Sequence, residues 1–149
     1  MDEVKTLNEQ KKEYLGKYQS TVRRIARIEA EIQEIRDMKR SISAAGNDGM
    51  PRGSGQSDLS AYAAELDGYE RELIQERYTR IKLYKDISQR IKNLKSKNEN
   101  DVMFYHYIKG LEWYEIAEKM NYSERHILRI HGKALAHLQL SEKDVSECQ

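Results

Sequence analysis

The polar side chains that follow Ser123 are the group in this sequence whose types and spacing best suit molecular recognition. They are Glu124, Arg125, His126, Arg129 and Lys133. Arginine donates paired hydrogen bonds to a guanine edge, and arginine and lysine both pair with phosphate oxygens. Such residues near the start of a helix are typical of a segment that enters the major groove of double-stranded DNA. We therefore take them, together with Ser123 itself, as candidate DNA contacts.

Two short amphipathic helices joined by a tight turn would present these side chains. The first is predicted over residues 113–120, with Ile116 and Met120 turned inward. Residues 121–122 then interrupt the helical pattern. Ser123 is expected to cap the second helix, because its hydroxyl can accept a bond from a free backbone N–H two or three residues on.

Apolar residues at helical spacing define the face that the second helix would bury. They are Ile127, Ile130, Ala134 and Leu138. Leu128 and Leu135 are predicted to widen this stripe on one side. Trp113 and Tyr122 flank the turn and are expected to pack. Tyr114 has two balanced interpretations, as a packing residue or as a hydroxyl donor to a DNA phosphate.

The same region resembles a known family. The residues that carry the resemblance are Gly110, Glu115, Ile116, Ala117, Ser123, Ile127, Ile130, Lys133, Ala134, Leu135 and Leu138. Over the last third of the chain they look like the fourth conserved region of bacterial sigma factors, which reads the upstream promoter element. The phrase SERHILRIHGKAL is more similar still to sigma-like phage and prophage proteins of Gram-positive bacteria, including late-gene activators of the ArpU and RinA kind.

This resemblance implies a DNA-binding transcription regulator of phage or prophage type, with double-stranded DNA as its ligand and host RNA polymerase as a second partner. Two positions depart from the sigma pattern. Glu112 stands where sigma modules often place a Ser or Thr cap, and Glu124 stands where they often carry Arg. These departures bear on which DNA sequence is recognised.

Composition predicts an all-α protein. Of the 149 residues, 34% are charged and 38% hydrophobic, which is too polar for one thick core. The single Pro51 lies among glycines, so long tracts of good helix formers flank it. Cys148 has no partner thiol, and no signal peptide or bilayer-length apolar run is present. We therefore expect a protein of a reducing compartment without a membrane partner, and the resemblance implies the cytoplasm of a bacterial host cell.

The first two thirds of the chain, residues 1–97, are predicted to form an antiparallel helical hairpin or coiled coil. The first apolar seam comprises Leu15, Tyr18, Val22, Ile25, Ile28, Ile32, Ile35, Met38 and Ile42. The second comprises Leu59, Tyr62, Leu66, Tyr69, Leu73, Tyr78 or Arg77, Ile81, Tyr84, Ile87, Ile91 and Leu94. Both follow steps of three or four residues. A flexible glycine-rich loop is predicted over 43–57, with Ser57 or Asp58 capping the second helix.

The remainder is divided into a helix-turn-helix domain over 98–140 and a disordered tail over 141–149. The polar run 95–100 is expected to end the second long helix. A further helix that contains Val102 and Ile108 would cover the two motif helices, and Gly110 would close it.

Charge is unevenly distributed along the chain. Residues 98–149 carry 6 Lys and Arg against 9 Asp and Glu, a balance of −3, although Glu124 is the only acid between Tyr122 and Leu138. Since phosphate neutralisation supplies much of the affinity for DNA, one copy is expected to bind weakly and with strong salt dependence. A homodimer is therefore predicted.

Catalytic and metal chemistry find little support. The four histidines are His106, His126, His131 and His137. They lack the spacing and the cysteine or acidic partners of a zinc site or a nucleophile. His131 is expected at the surface or at an interface, and His106 partly buried. We expect no enzymatic activity, no metal and no cofactor.

Two alternatives to the regulator remain at this point. One is a DNA-packaging protein similar to a small phage terminase subunit, which also joins a helix-turn-helix to oligomerising helices. The other is a coiled-coil adaptor that binds no nucleic acid, because apolar stripes at helical spacing usually indicate a core and no more.

Overall fold

The computed structural model describes residues 6–45 and 55–141, and these contain helices and no strand. The elements are α1 (Leu7–Ala45), α2 (Gly55–Lys92), α3 (Lys97–Met103), a π-helical turn (Phe104–Ile108), α4 (Trp113–Met120) and α5 (Glu124–His137). The predicted all-α class is confirmed. Over the described residues, no helix combines the length and the apolar character needed to cross a bilayer.

The chain divides into two compact units. The first combines the start of α1, up to Ser20, with the chain from Arg80 onward. The second spans Thr21–Thr79.

In the second unit, α1 and α2 run antiparallel. Their core comprises Ile25, Ile28, Ile32 and Leu73, with Leu66 and Tyr69 packed against it. Arg24 pairs with Glu76 at 3.1 Å, and Arg36 pairs with Glu70 at 3.0 Å. From residue 24 to residue 36 of α1, the paired residue in α2 goes back from 76 to 70, so the two helices run in opposite directions. The ion pairs lie near the surface, so apolar burial holds this unit together.

In the first unit, the start of α1 lies against the end of α2. The Tyr14 hydroxyl accepts a hydrogen bond from Arg90 Nε at 3.2 Å, and the Tyr18 hydroxyl accepts one from Arg80 Nε at 3.1 Å. Leu15 and Ile87 are fully buried. The contact between these two helix ends therefore combines buried apolar side chains with tyrosines whose hydroxyls are hydrogen-bonded.

The first unit also contains α3, α4 and α5, which share one core. Its buried residues are Val102, Ile116, Ala117, Ile127 and Ile130. Helix α1 is tied to this group by two side chains. Lys11 Nζ donates to Leu135 O at 2.6 Å, and Gln19 Nε2 donates to Ile108 O at 2.6 Å. The carbonyl of Leu135 lies in the last turn of α5, where carbonyls lack helical partners and favour a cation.

Several predicted features of the long helices are wrong. Tyr78 and Ile81, assigned to the second seam, are 71% and 65% exposed. The alternative, Arg77, has a side chain that is 57% exposed but pairs with Glu29 of α1 at 3.4 Å. Met38 is also exposed, at 42%, whereas Tyr84 is 43% exposed but its ring lies 6.1 Å from the ring of Tyr18 in α1.

The predicted boundaries also shift. The predicted loop 43–57 is too long, because α1 continues to Ala45 and α2 begins at Gly55, ahead of the two predicted caps. The rest of that loop lies outside the described residues. Helix α2 ends at Lys92, ahead of the polar run 95–100 that was predicted to end it, and α3 already begins at Lys97, capped by Ser96. Of the predicted tail, residues 142–149 lie outside the described residues.

Candidate nucleic-acid interface

Helix α4 has the predicted bounds and ends in a tight turn. At its start, Glu115 Oε1 accepts a hydrogen bond from the backbone N–H of Glu112 at 3.1 Å. At its end, Asn121 adopts a left-handed conformation with φ 57°. The backbone N–H of Tyr122 then donates to Ala117 O at 3.1 Å. Asparagine tolerates this conformation better than most residues, so the interruption that the sequence predicted has a local cause.

Ser123 begins α5 as predicted. Its Oγ accepts a hydrogen bond from the backbone N–H of His126 at 3.1 Å, three residues on. This bond satisfies one of the free N–H groups of the first turn and fixes where the helix begins.

One face of α5 is buried, but its composition differs from the prediction at two positions. Ile127, Ile130 and Ala134 are buried as expected. Leu128, which was predicted to widen the apolar stripe, is instead 45% exposed. His131, which was predicted at the surface or at an interface, is 7% exposed.

The opposite face of α5 carries the predicted contact residues. We call the exposed set Arg125, Leu128, Arg129 and Lys133 the outer surface of α5. No hydrogen bond or ion pair joins the three cationic side chains of this set to any described residue. No described residue therefore neutralises their charges, which face outward from α5.

The remaining candidate residues lie around this surface. Ser123 and Glu124 are exposed at the start of α5, although the Ser123 hydroxyl already serves as the cap. His126 is half-buried and meets the Tyr122 ring edge-on, with centroids 4.7 Å apart. Tyr114 is 58% exposed, in the first turn of α4 and away from the turn that joins the two helices. The structure thus gathers the α5 candidates on one short helix and places Tyr114 on its neighbour.

An aromatic cluster that the sequence did not reveal lies beneath α5. Tyr107 and His131 share a buried hydrogen bond, with the hydroxyl 2.7 Å from Nε2. His106 stacks on Trp113 with centroids 3.8 Å apart and an interplanar angle of 15°. His106 Nδ1 donates to Leu111 O at 2.9 Å. These contacts hold α5 and the start of α4 against the π-helical turn.

Burial sets the protonation of this cluster. Desolvation, followed by the positive charges of His106 and Lys12, lowers the pKa of His131 to about 4. Desolvation also raises the pKa of Tyr107. At neutral pH both groups are therefore uncharged, and they share one hydrogen bond between the Tyr107 hydroxyl and Nε2 of His131. The sequence signal was available, since His131 follows Ile127 by four residues and precedes Ala134 by three, which puts it on their face.

A second titratable pair lies at the far end of α5. Nδ1 of His137 is 3.0 Å from both carboxylate oxygens of Glu99. The Glu99 side chain is only 8% exposed, whereas that of His137 is 64% exposed. Among the residues that the structure describes, no group of three or more His, Cys, Asp or Glu side chains is placed to hold a metal ion.

Comparison with known proteins adds no relative. No family profile, curated protein or solved structure matches this chain. The resemblance to the fourth region of sigma factors therefore stays a prediction.

Proposed function

We propose that this protein is a DNA-binding transcription regulator of phage or prophage type that reads double-stranded DNA with α5. The observation that carries the proposal is the outer surface of α5. Arg125, Arg129 and Lys133 are exposed, and no described residue pairs with them, on the helix that follows a tight, capped turn. That is the position from which the second helix of a helix-turn-helix motif contacts base edges.

The spacing of the two arginines suits the spacing of bases. Arg125 and Arg129 are four residues apart, which is about 6 Å along a helix axis. Base pairs rise by about 3.4 Å, so the two guanidinium groups fall about two steps apart on the duplex. Each arginine is assigned a guanine, because the guanidinium fork matches the two acceptors on its major-groove edge.

The other candidates take supporting roles. Lys133 and Tyr114 are assigned to phosphates, which position the protein without reading sequence. Glu124 is suited to accept a hydrogen bond from the amino group of a cytosine. Ser123 and His126 lie at the helix start, where backbone N–H groups and the helix dipole favour a phosphate.

Affinity is expected to depend on more than one copy. The three cations on α5 stand against an overall balance of −3 for residues 98–149. Since each released counterion adds to the affinity, a surface with so few cations binds weakly alone. A homodimer would double the contacts, and host RNA polymerase would add others.

The test uses the full chain and duplexes selected from a random pool, with affinity measured by fluorescence anisotropy. Arg125→Ala and Arg129→Ala should each weaken binding by about 10- to 100-fold and relax the preference at one base pair. Lys133→Ala should weaken all sequences alike and reduce the slope of log affinity against log salt by about 1.

Arg40→Ala is the matched control, because Arg40 is an exposed arginine of α1 in the other compact unit. It should leave affinity and preference unchanged. If both α5 arginine variants bind like the wild type and sustain the same promoter output in a reporter strain, α5 is not the reading helix and the proposal fails.

A further inference from the structure

The outer surface of α5 contains one apolar side chain, and the described part of the chain leaves it partly exposed. Leu128 is 45% exposed, although every other Ile or Leu within α5 is buried. It lies three residues after Arg125 and directly before Arg129, both exposed. An isolated exposed leucine is common on protein surfaces. This one, however, lies between the two side chains that the proposed function assigns to base edges.

The backbone around Leu128 is open to a large ligand. Gly132 follows by one turn, and a Cβ built there would meet nothing within 4 Å. Glycine in a helix interior costs about 1 kcal/mol relative to alanine, and no packing within the described residues requires it here. Position 132, one helical turn after Leu128, therefore has no side chain that could cover Leu128 when a ligand approaches α5.

Among the groups that a duplex exposes in its major groove, the thymine 5-methyl is the apolar one. Arginine and glutamate side chains cannot distinguish thymine by this group, whereas an exposed leucine gains free energy when it and the methyl leave water together. Along the helix axis, Leu128 lies about 4.5 Å beyond Arg125 and about 1.5 Å before Arg129. These offsets put its contact within one or two base steps of the bases that the arginines read.

We infer that Leu128 is a specificity-determining residue that recognises the 5-methyl group of a thymine beside the guanines read by Arg125 and Arg129. The inference rests on the proposed function and deepens it. It assigns the site a mixed G·C and A·T target in which one position is selected by apolar contact rather than by hydrogen bonding.

The experiment replaces thymine with deoxyuridine, which lacks only the methyl group. A duplex is selected from a random pool with the full-length wild type, and each thymine in it is then exchanged singly for deoxyuridine. Burial of one methyl group is worth about fourfold in affinity. We expect one exchange to weaken wild-type binding by about this factor and the others to have little effect.

Three variants connect that exchange to Leu128. In Leu128→Ala the critical exchange should change affinity by less than about 1.5-fold, because the apolar partner of the methyl is gone. Leu128→Met, which keeps a similar apolar volume, should retain the dependence. Ile81→Ala is the matched control, since Ile81 is 65% exposed on α2 in the same compact unit. It should behave like the wild type.

The outcomes separate this inference from the proposed function. If the selected duplex has no thymine, if no exchange weakens binding, or if Leu128→Ala keeps the full penalty, the inference is overturned while DNA reading by α5 stands. If Leu128→Ala lowers promoter output but leaves the thymine dependence intact, Leu128 contacts polymerase and the inference is likewise overturned. If the wild type retains no duplex at low salt, both fail.

Discussion

Acidification should destabilise the first compact unit through His131. The pKa of this buried imidazole is lowered to about 4 in the folded protein, against 6.5 for an unperturbed histidine. Between these values the unfolded chain binds a proton that the folded chain excludes, so stability falls as pH falls. The stability contribution is fully present above about pH 6.5 and is lost progressively down to about pH 4.

The size of the effect follows from the shift. Proton linkage gives a loss of about 2 kcal/mol in the free energy of unfolding between about pH 7.5 and pH 5. That is a large part of the stability of a small domain. Protonation would also place a charge on a ring that is 7% exposed and whose Nε2 lies 2.7 Å from the Tyr107 hydroxyl oxygen.

The measurement is urea unfolding followed by far-ultraviolet circular dichroism at about pH 7.5 and pH 5, with the wild type compared to His131→Gln. Glutamine keeps an acceptor for Tyr107 but does not titrate, so this variant should lose about 2 kcal/mol less between the two pH values. His126→Gln, which changes a half-buried histidine of the same helix, is the control and should follow the wild type. If His131→Gln loses as much stability as the wild type on acidification, the assignment of a neutral, buried His131 is refuted.

Two further predictions concern stability and are measured by the same urea titrations at neutral pH. Gly110→Ala should lower the free energy of unfolding by about 1–2 kcal/mol, because the φ of Gly110 is +71° and a Cβ there would lie 2.8 Å from Gln19 Oε1. Its control, Gly16→Ala, has open space within 4 Å and should gain about 0.5–1 kcal/mol, so equal effects of the two changes would contradict the reasoning. Lys11→Met should lower the free energy of unfolding by about 1–3 kcal/mol, because it removes the hydrogen bond to Leu135 O. Lys12→Met changes an exposed neighbour and should alter the free energy of unfolding by no more than about 0.5 kcal/mol. A neutral Lys11→Met would show that the bond contributes nothing.

The region from α4 to α5 was largely predictable because its signals are local. The hydroxyl of Ser123 caps the helix that immediately follows it, and Asn121 ends the helix that precedes it. Each signal acts within four residues and needs no partner from elsewhere in the chain. The candidate DNA contacts on α5 could therefore be located from sequence, since they share one short helix.

The prediction placed Leu128 in the apolar stripe and His131 at the surface or at an interface, whereas in the structure Leu128 is exposed and His131 is buried. The reason is physical. Apolarity favoured Leu128 for the core, but helical geometry places His131 on the same face as Ile127. A buried imidazole needs a hydrogen-bond partner, and Tyr107 supplies it from the π-helical turn, 24 residues earlier. A contact across that separation leaves no periodic signal in the sequence.

The seam of α2 was misassigned for a related reason. The sequence offered Tyr78 and Ile81 as apolar residues at helical spacing, yet the polar residues Glu76, Arg77 and Arg80 have side chains that contact α1. Glu76 pairs with Arg24 in one unit, and Arg80 donates to the Tyr18 hydroxyl in the other. Oε1 of Glu76 and Nε of Arg80 are satisfied by these partners, whereas Oε2 of Glu76 is buried without a hydrogen-bond partner among the described residues. A search for hydrophobic periodicity cannot detect such polar pairs, because it considers only apolar residues.

Trp113, which stacks on His106, can report on unfolding by its own fluorescence, without an added label. Trp113 is the single tryptophan of the chain, and it lies in the compact unit that contains α5. Its fluorescence therefore follows that unit alone, whereas circular dichroism records the helices of both. The gap between the two unfolding midpoints, read from one unlabelled sample, measures how strongly the melting of one unit is coupled to that of the other.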